Sequence, residues 1–218
     1  IDDASTDNSL EVIRSFADPR ITVIERTTNG GSCRSYNQAY EICRGKYLGS
    51  LDADDYFMPN KLARQVAFME EHPEIDVTGT FIYQVTEKDE IQEGLYSQIG
   101  NQEYDLDLID NWAMIDYISH SSALIRKTSH DRLGGLTPDL EYMPDYELWL
   151  RGFVRGMRFR VLPEQLTCYR AHQSNTTNNV KRKKLLLQFT FLYCTYLAPY
   201  LIRIYRLDLI EKCFTILL

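Results

Sequence analysis

The feature that most constrains this chain is a short apolar strand that runs directly into a cluster of acids. The stretch from Lys46 to Asp55 reads KYLGSLDADD. Successive side chains of a strand point to opposite faces, so the spacing predicts that Asp52 and Asp54 project on the same side. Two convergent carboxylates offer the oxygen ligands that Mg²⁺ or Mn²⁺ prefers, and substrate phosphates and water complete such a shell. The stretch therefore predicts a divalent-cation site, and the competing interpretation is a solvated acidic turn.

Strands and helices alternate along the first 85 residues. Ile1-Asp2-Asp3 reads as a strand end, Ile21 to Glu25 as a β-branched strand and Asp76 to Val85 as another, with helical periodicity between them. This alternation predicts an α/β fold with a mainly parallel central sheet and helices on both faces. Ligands of such open sheets bind at the carboxyl ends of the strands, so Asp3 and Asp52 are expected to line one crevice.

Composition excludes some classes of partner. With 218 residues, of which 44% are hydrophobic, the chain can bury the core of one large domain or two small ones. A net charge of -7 and a pI near 5.2 argue against a nucleic-acid surface, although Lys181 to Lys184 form a local basic cluster. The five cysteines are odd in number and include no C-x-x-C pair, which predicts reduced thiols and a cytoplasmic protein.

The beginning of the sequence reads as an interrupted element. Residue 1 is Ile and not Met, and Ile1-Asp2-Asp3 has the pattern of a strand end whose first residues are missing. We therefore expect the chain to be a fragment cut inside its first domain. A buried sheet that lacks a neighbouring strand loses hydrogen bonds and apolar cover, so the longer protein is expected to be the active form.

Two polar residues in the second half of the chain are candidates for chemistry. Asp145 follows Pro144 at the start of a predicted helix, where the helix macrodipole favours an acid. It is therefore either a capping residue or a catalytic group that faces the crevice. His172 follows two short predicted strands, 159–162 and 166–169. It is either a ligand for a diphosphate or metal, or a histidine held by ordinary hydrogen bonds.

Residues 179–218 differ in pattern from the rest, because a basic cluster precedes a strongly apolar run. We divide the chain into a domain of residues 1–178 and a C-terminal helical segment of residues 179–218. The segment either packs on the domain or makes a peripheral contact with an anionic membrane at its cytoplasmic face. A transmembrane span is disfavoured, since Gln188 and Pro199 interrupt a run that is barely long enough.

Four motifs, in this order, resemble those of the family 2 glycosyltransferases, which have the GT-A fold, a Rossmann-like α/β fold. The first strand end resembles a nucleotide-binding motif, and a glycine-containing loop and helix follow at residues 29–37. Asp52-Ala53-Asp54 resembles the metal-binding Asp-x-Asp motif, and Pro144 to Arg151 resembles the motif that carries the catalytic base. The match covers residues 1–175, and an ordered set of four motifs is far more specific than any single one.

The resemblance implies a role for each candidate residue. Asp52 and Asp54 would hold the Mg²⁺ or Mn²⁺ ion, and Asp145 would be the catalytic base. The residues assigned to the nucleotide or its diphosphate are Asp3, Ser5, Asn37, Asp52 and His172.

The implied activity is metal-dependent, inverting transfer of a sugar from a nucleotide-sugar donor, with UDP the commonest carrier in the family. The acceptor would be a hydroxyl of a glycan or lipid-linked sugar in cell-surface polysaccharide synthesis, and no nucleic acid is involved. A divalent cation would neutralise the leaving diphosphate, which is otherwise a poor leaving group. Asp145 would take the proton of the acceptor hydroxyl as it attacks the anomeric carbon.

Two positions depart from the family pattern, and two other functions stay open. Pro144 stands where the family usually has Glu, and Tyr36 stands where it usually has Arg. A sugar nucleotidyltransferase also uses a related α/β fold and metal-bound carboxylates, but it has no counterpart of the motif around Asp145. A nucleotide-sugar-binding subunit without catalysis is the third interpretation.

Overall fold

The computed structural model describes residues 1–113, 115–175 and 181–217. Its centre is a five-stranded sheet in the order β1-β4-β3-β5-β2. The strands are β1 (Tyr47–Gly49), β2 (Tyr56–Phe57), β3 (Val77–Val85), β4 (Leu124–Arg126) and β5 (Phe159–Arg170).

The sheet is mixed in direction. β3 and β5 run parallel along their whole shared length, from Val77 opposite Phe159 to Val85 opposite Arg170. The other strand pairs of the described sheet are antiparallel. The expected α/β architecture is confirmed, but the sheet is not mainly parallel, because the predicted strand at 21–25 forms a single parallel bridge to Asp2 instead of a ladder.

Helices precede the first strand, alternate with the later strands, and form the C-terminal segment after β5. A 3₁₀ turn, His120–Ser122, leads into β4. The α-helices are α1 (Ser9–Arg14), α2 (Ser32–Ile42), α3 (Lys61–Glu71), α4 (Leu95–Gly100), α5 (Ile109–Trp112), α6 (Lys127–Leu133), α7 (Pro144–Val154), α8 (Arg182–Leu192), α9 (Ala198–Arg203) and α10 (Leu207–Leu217).

The hydrophobic core is built around α7. Every residue from Tyr146 to Phe153 is buried, which is the pattern of a helix enclosed on all sides. Trp149 is 1% exposed, and its indole N–H donates to the carbonyl oxygen of Ile118 at 2.9 Å. Because a buried indole is costly unless its N–H is paired, this bond lets the ring sit in the core. The start of α7 is therefore held rigidly.

The C-terminal segment packs on the domain through its helices. A π-helical turn, Tyr193–Leu197, joins α8 to α9 and lies against α7, and Leu192 and Leu201 are also buried there. This packing agrees with the first interpretation of the segment. Residues Arg182–Arg203 are also long and apolar enough to cross a membrane by length and composition, so the membrane contact stays a prediction. The predicted domain boundary after residue 178 lies outside the described residues.

Candidate active site

A cavity of about 580 Å³ opens beside the acidic turn that follows β1. Its walls come from the start of α2, the acidic turn, the 3₁₀ turn, the start of α7 and the end of β5. The polar residues that line it are Ser32, Tyr36, Asp52, Asp54, His120, Glu141, Asp145, His172, Ser174 and Asn175. The apolar and aromatic lining residues are Tyr96, Leu136, Tyr142, Met143, Pro144, Tyr169 and Leu185.

The acidic turn brings Asp52 and Asp54 to the same cavity, although not by the strand alternation that the sequence suggested. β1 ends at Gly49, and the chain then turns, with the amide of Asp55 donating to the carbonyl oxygen of Asp52 at 3.1 Å. The alternation argument applies only to extended backbone, so it does not hold for these residues. Partners from other parts of the chain set the direction of each carboxylate instead.

Asp52 is held by residues of α2 and of the 3₁₀ turn. Its Oδ1 accepts a hydrogen bond of 2.6 Å from the hydroxyl of Tyr36, and Nδ1 of His120 lies 3.7 Å from the same oxygen. Its amide donates to Oγ of Ser121 at 3.1 Å. Burial alone would raise the pKa of Asp52, but His120, Tyr36 and Ser121 outweigh it and hold that pKa below the usual value. Asp52 is therefore an ionised carboxylate at neutral pH.

Asp54 meets residues that follow β5. Nε2 of His172 lies 2.8 Å from its Oδ2, and Nδ2 of Asn175 donates to the same oxygen at 3.3 Å. The second ring nitrogen of His172 lies 2.8 Å from Oγ of Ser174, which fixes the plane of the ring. A carboxylate and an imidazole therefore stand side by side at the cavity wall.

Asp55 connects the acidic turn to the end of β5. It is 8% exposed, and its Oδ1 accepts a hydrogen bond of 2.9 Å from the amide of Arg170. The guanidinium of Arg170 donates to the carbonyl oxygen of Asp54 at 2.8 Å. Burial raises the pKa of Asp55 to about 6. This residue therefore ties the acidic turn to the end of β5, which is why His172 reaches Asp54.

Asp145 lies in the first turn of α7 and faces the cavity. Met143, which precedes the helix, has a φ of 56°, a left-handed conformation that is uncommon for a residue with a side chain. Burial is the main cause that raises the pKa of Asp145. A second acid that the sequence analysis did not single out, Asp116, has a pKa raised well above its usual value by burial and by the charge of Asp145. The charge of Asp145 therefore adds to burial in opposing ionisation of Asp116.

A buried ion pair holds the loop in front of α7. Glu147 is fully buried, and Nε of Arg151 donates to its Oε1 at 2.8 Å. The guanidinium of Arg151 also donates to the carbonyl oxygens of Leu133 and Gly135, so the end of α6 is fastened to α7. The hydroxyl of Tyr196 donates to Glu147 at 2.6 Å. The C-terminal segment therefore contributes to the support of α7.

Asn37 belongs to this support and not to the cavity wall. Its amide nitrogen donates to the carbonyl oxygen of Leu136 at 2.8 Å, and its amide oxygen accepts from the amide of Leu136 at 2.8 Å. Both polar atoms of the side chain are thus engaged by one backbone unit. The side chain therefore positions the loop after α6 and lies outside the cavity lining, and the nucleotide contact of Asn37 stays a prediction.

The two N-terminal candidates lie outside the cavity lining. The carboxylate of Asp3 accepts hydrogen bonds from the amides of Gly30 and Gly31 and pairs with Arg26 at 3.1 Å. Burial would raise the pKa of Asp3, but these amides and Arg26 keep it below the usual value. Ser5 is exposed, and its amide donates to Asp2. Asp3 therefore orders the glycine turn before α2, and the nucleotide contacts of Asp3 and Ser5 stay predictions.

The residues at the cavity suit a divalent cation that is shared with a substrate. Among the described residues, no three His, Cys, Asp or Glu side chains come together as a complete metal cage. Asp52, Asp54 and His172 nevertheless present two carboxylates and an imidazole to one cavity. Mg²⁺ and Mn²⁺ are commonly bound by one or two carboxylates while phosphate oxygens supply the remaining ligands. The donor set fits that kind of site.

The profile of the family described as Glycosyl transferase family 2 matches residues 1–146, more than half of the chain. The chain belongs to glycosyltransferase family 2. A family member from Escherichia coli, the UDP-Glc:alpha-D-GlcNAc-diphosphoundecaprenol beta-1,3-glucosyltransferase WfaP, is 30% identical over 86% of this chain and 70% of its own length. An uncharacterized glycosyltransferase from Methanocaldococcus jannaschii is 27% identical over 87% of this chain and 65% of its own length.

Solved structures agree with the family assignment at the level of fold. S. aureus TarS in complex with UDP-GlcNAc matches with a TM-score of 0.69 over 89% of this chain and 56% of the TarS chain, at 17% identity. The mannosyltransferase PcManGT from Pyrobaculum calidifontis, in complex with GDP-Man and Mn²⁺, matches with a TM-score of 0.63 over 88% of this chain and 52% of its own. The family 2 chain described here therefore spans about half the length of these solved proteins.

The family motifs account for Asp52, Asp54 and Asp145, but sequence reasoning missed the roles of their neighbours. Tyr36 was noted only as a departure from the family pattern, although its hydroxyl reaches Asp52. Asp116 lies in a polar and aromatic stretch without a clear period. No local signal could identify either residue, because each one acts on a group from a distant part of the chain.

Proposed function

We propose that this protein transfers a sugar from a UDP-linked donor to a hydroxyl of a lipid-linked or free glycan, with inversion at the anomeric carbon and with Mn²⁺ or Mg²⁺ bound beside the diphosphate. The observation that carries the proposal is the meeting of Asp52, Asp54 and Asp145 at one cavity. The first two belong to the turn after β1 and the third to the start of α7. A cation site and a base at one cavity suit a single displacement between donor and acceptor.

The donor half of the site is assigned to the acidic turn. Asp52 and Asp54 would hold the cation, and His172, beside Asp54, would hold it or the diphosphate from the end of β5. When bound, the cation neutralises the charge that develops on the leaving diphosphate. WfaP has a UDP-linked donor in its name, and TarS was solved with UDP-GlcNAc, which supports a UDP-linked donor here.

The acceptor half is assigned to the start of α7. Asp145 would accept the proton of the acceptor hydroxyl as that hydroxyl attacks the anomeric carbon. Its raised pKa makes it a stronger base than an exposed aspartate, which suits this role. WfaP acts on a diphosphoundecaprenol-linked sugar, and this supports a lipid-linked acceptor and a cytoplasmic site of action for the whole protein.

A donor screen on the full-length protein tests the proposal. UDP- and GDP-sugars are incubated with Mn²⁺ and a panel of lipid-linked and free glycan acceptors, and the released nucleotide and the new glycoside are measured. We expect UDP release that depends on both metal and acceptor and is lost in Asp145→Asn. Tight UDP binding without any transfer would instead identify a binding subunit. Pyrophosphate release from UTP and a sugar phosphate would identify a nucleotidyltransferase.

A further inference from the structure

The carboxylate of Asp52 is held asymmetrically. Two of its side-chain contacts, the 2.6 Å hydrogen bond from Tyr36 and the 3.7 Å approach of His120, are made to Oδ1. The side chain of Ser121 also interacts with this carboxylate. One oxygen is thus occupied by the protein, while Asp52 as a whole lines the cavity.

The two residues that hold Oδ1 are themselves fixed by a buried network. Nε2 of His120 lies 3.1 Å from the hydroxyl of Tyr40, and that hydroxyl lies 2.6 Å from Oγ of Ser50. With a proton on Nδ1, the ring of His120 donates toward Asp52 and accepts from Tyr40. Because His120, Tyr40 and Ser50 are each less than 10% exposed, this ring cannot swing freely.

Aromatic packing fixes Tyr36 in the same way. Its ring stacks on Tyr40 with centroids 5.9 Å apart and meets the edge of His120 at 4.4 Å. A tyrosine hydroxyl is protonated at neutral pH, so beside a carboxylate it acts as the donor. Tyr36 occupies a position where the family usually has Arg, so the hydroxyl holds Asp52 without adding positive charge at the cavity.

We propose that Tyr36 and His120 form a clamp on Oδ1 of Asp52, which would hold the carboxylate ready to bind the cation that carries the donor diphosphate. Both are positioning residues, and they act through Asp52. The proposal rests on the proposed function, because it assumes that Asp52 binds that cation. A carboxylate whose rotation is prevented in advance loses less conformational entropy when the metal binds.

Isothermal titration of UDP into the full-length protein, with Mn²⁺ or with EDTA, tests the clamp. Tyr36→Phe keeps the ring and its packing and removes only the donor, while His120→Gln removes the second contact from a different element. We expect Tyr36→Phe to weaken Mn²⁺-dependent UDP binding about 10-fold, as for loss of a hydrogen bond to a charged group. His120→Gln should weaken it by a smaller factor, because the ring lies 3.7 Å from Oδ1, beyond hydrogen-bond distance. Each change should alter binding in EDTA less than about 2-fold. Added to Asp52→Asn, the Tyr36→Phe change should cost no further affinity.

Tyr47→Phe is the matched control. Its hydroxyl also donates to a carboxylate, that of Glu70 at 2.9 Å, but Tyr47 does not line the cavity. This variant should bind UDP as the wild type does. The clamp is overturned if Tyr36→Phe and His120→Gln melt normally and bind UDP normally with Mn²⁺, or if they lose as much affinity in EDTA as with Mn²⁺.

The Asp52→Asn variant distinguishes a failure of the clamp from a failure of the proposed cation site. If Asp52→Asn weakens Mn²⁺-dependent UDP binding while Tyr36→Phe and His120→Gln do not, only the clamp is wrong. If Asp52→Asn also binds UDP normally with Mn²⁺, the proposed cation site is wrong and the clamp with it.

Discussion

Nε2 of His172 lies 2.8 Å from Oδ2 of Asp54, although 118 positions separate the two residues in sequence. The contact exists because β5 delivers the chain to the acidic turn and Arg170 fastens the two segments together. His172 is the histidine that the sequence analysis proposed as a ligand, and Asp54 is one of the two carboxylates proposed to bind the cation. The pair is therefore the best place to test whether the cavity binds a metal.

We expect His172→Gln to weaken Mn²⁺-dependent UDP binding roughly 10- to 100-fold, the usual effect of removing a residue that ligates a metal or orients a ligand. His72→Gln is the control, since His72 also approaches a carboxylate, that of Glu74 at 3.4 Å, but on the exposed surface. Calorimetric titration measures both. Unchanged metal-dependent affinity in a folded His172→Gln protein would remove His172 from the site.

The Asp145→Asn variant tests the base. Asp145 lies in the first turn of α7 and is not its N-cap, so Asn, which has the same size, should lose only the interaction of the charge with the helix dipole, about 0.3–1 kcal/mol. Asn cannot accept the acceptor's proton, and we expect turnover to fall at least ~100-fold while UDP binding stays normal. Asp139→Asn, at an exposed acid paired with Arg34, is the control. Near-normal turnover with both substrates saturating would show that Asp145 has only a structural role at the start of α7.

The pH dependence of turnover gives a second check on Asp145. Burial raises its pKa, so at low pH the carboxyl is protonated and cannot act as a base. We expect kcat to fall as the pH decreases, with the midpoint above the ordinary aspartate value of about 4. An acid limb that lies at or below this value would show that another group limits turnover.

The ion pair between Glu147 and Arg151 is expected to matter for stability. Arg151→Met leaves the fully buried Glu147 without its cation, which should lower the free energy of unfolding by about 3–5 kcal/mol. The double variant Glu147→Gln with Arg151→Met should recover part of the loss, since no uncompensated charge stays buried. Urea unfolding measures these values. Arg64→Met, at an exposed pair with Glu164, should cost less than about 1 kcal/mol.

Lys61 should make stability depend on pH. Its side chain is 1% exposed, its Nζ has no hydrogen-bond partner within the described structure, and burial lowers its pKa to about 7. The unfolded chain, with a lysine pKa of about 10.4, binds more protons between these values, so the stability of the wild type rises with pH across that window. We expect Lys61→Met to raise Tm, and by more at pH 7 than at pH 10. Lys88→Met, at an exposed lysine, is the control and should change Tm little. The prediction is contradicted if Lys61→Met raises Tm equally at the two pH values, or if it changes Tm as little as the control does.

Much of the architecture is readable from local sequence. The periodicity and the breakers place α2, α3 and α7 close to their observed positions, and Pro144 opens α7 as expected. The two short strands predicted at 159–162 and 166–169 form one continuous strand, β5. The direction of the strands was not readable from the sequence. Whether two strands pair parallel or antiparallel depends on how distant segments meet, and the alternation of side chains along a strand is the same in both cases.

By itself, the sequence determined that acids would gather at a strand end and at a helix start, because turn residues, helix caps and apolar periods act over a few positions. Only the tertiary structure decided what each acid meets: Tyr36 at Asp52, His172 at Asp54 and Arg170 at Asp55. It also paired Asn37 with the backbone of Leu136. A hydrogen bond between residues far apart in the chain depends on the packing that brings them within about 3 Å, and no local pattern encodes that distance.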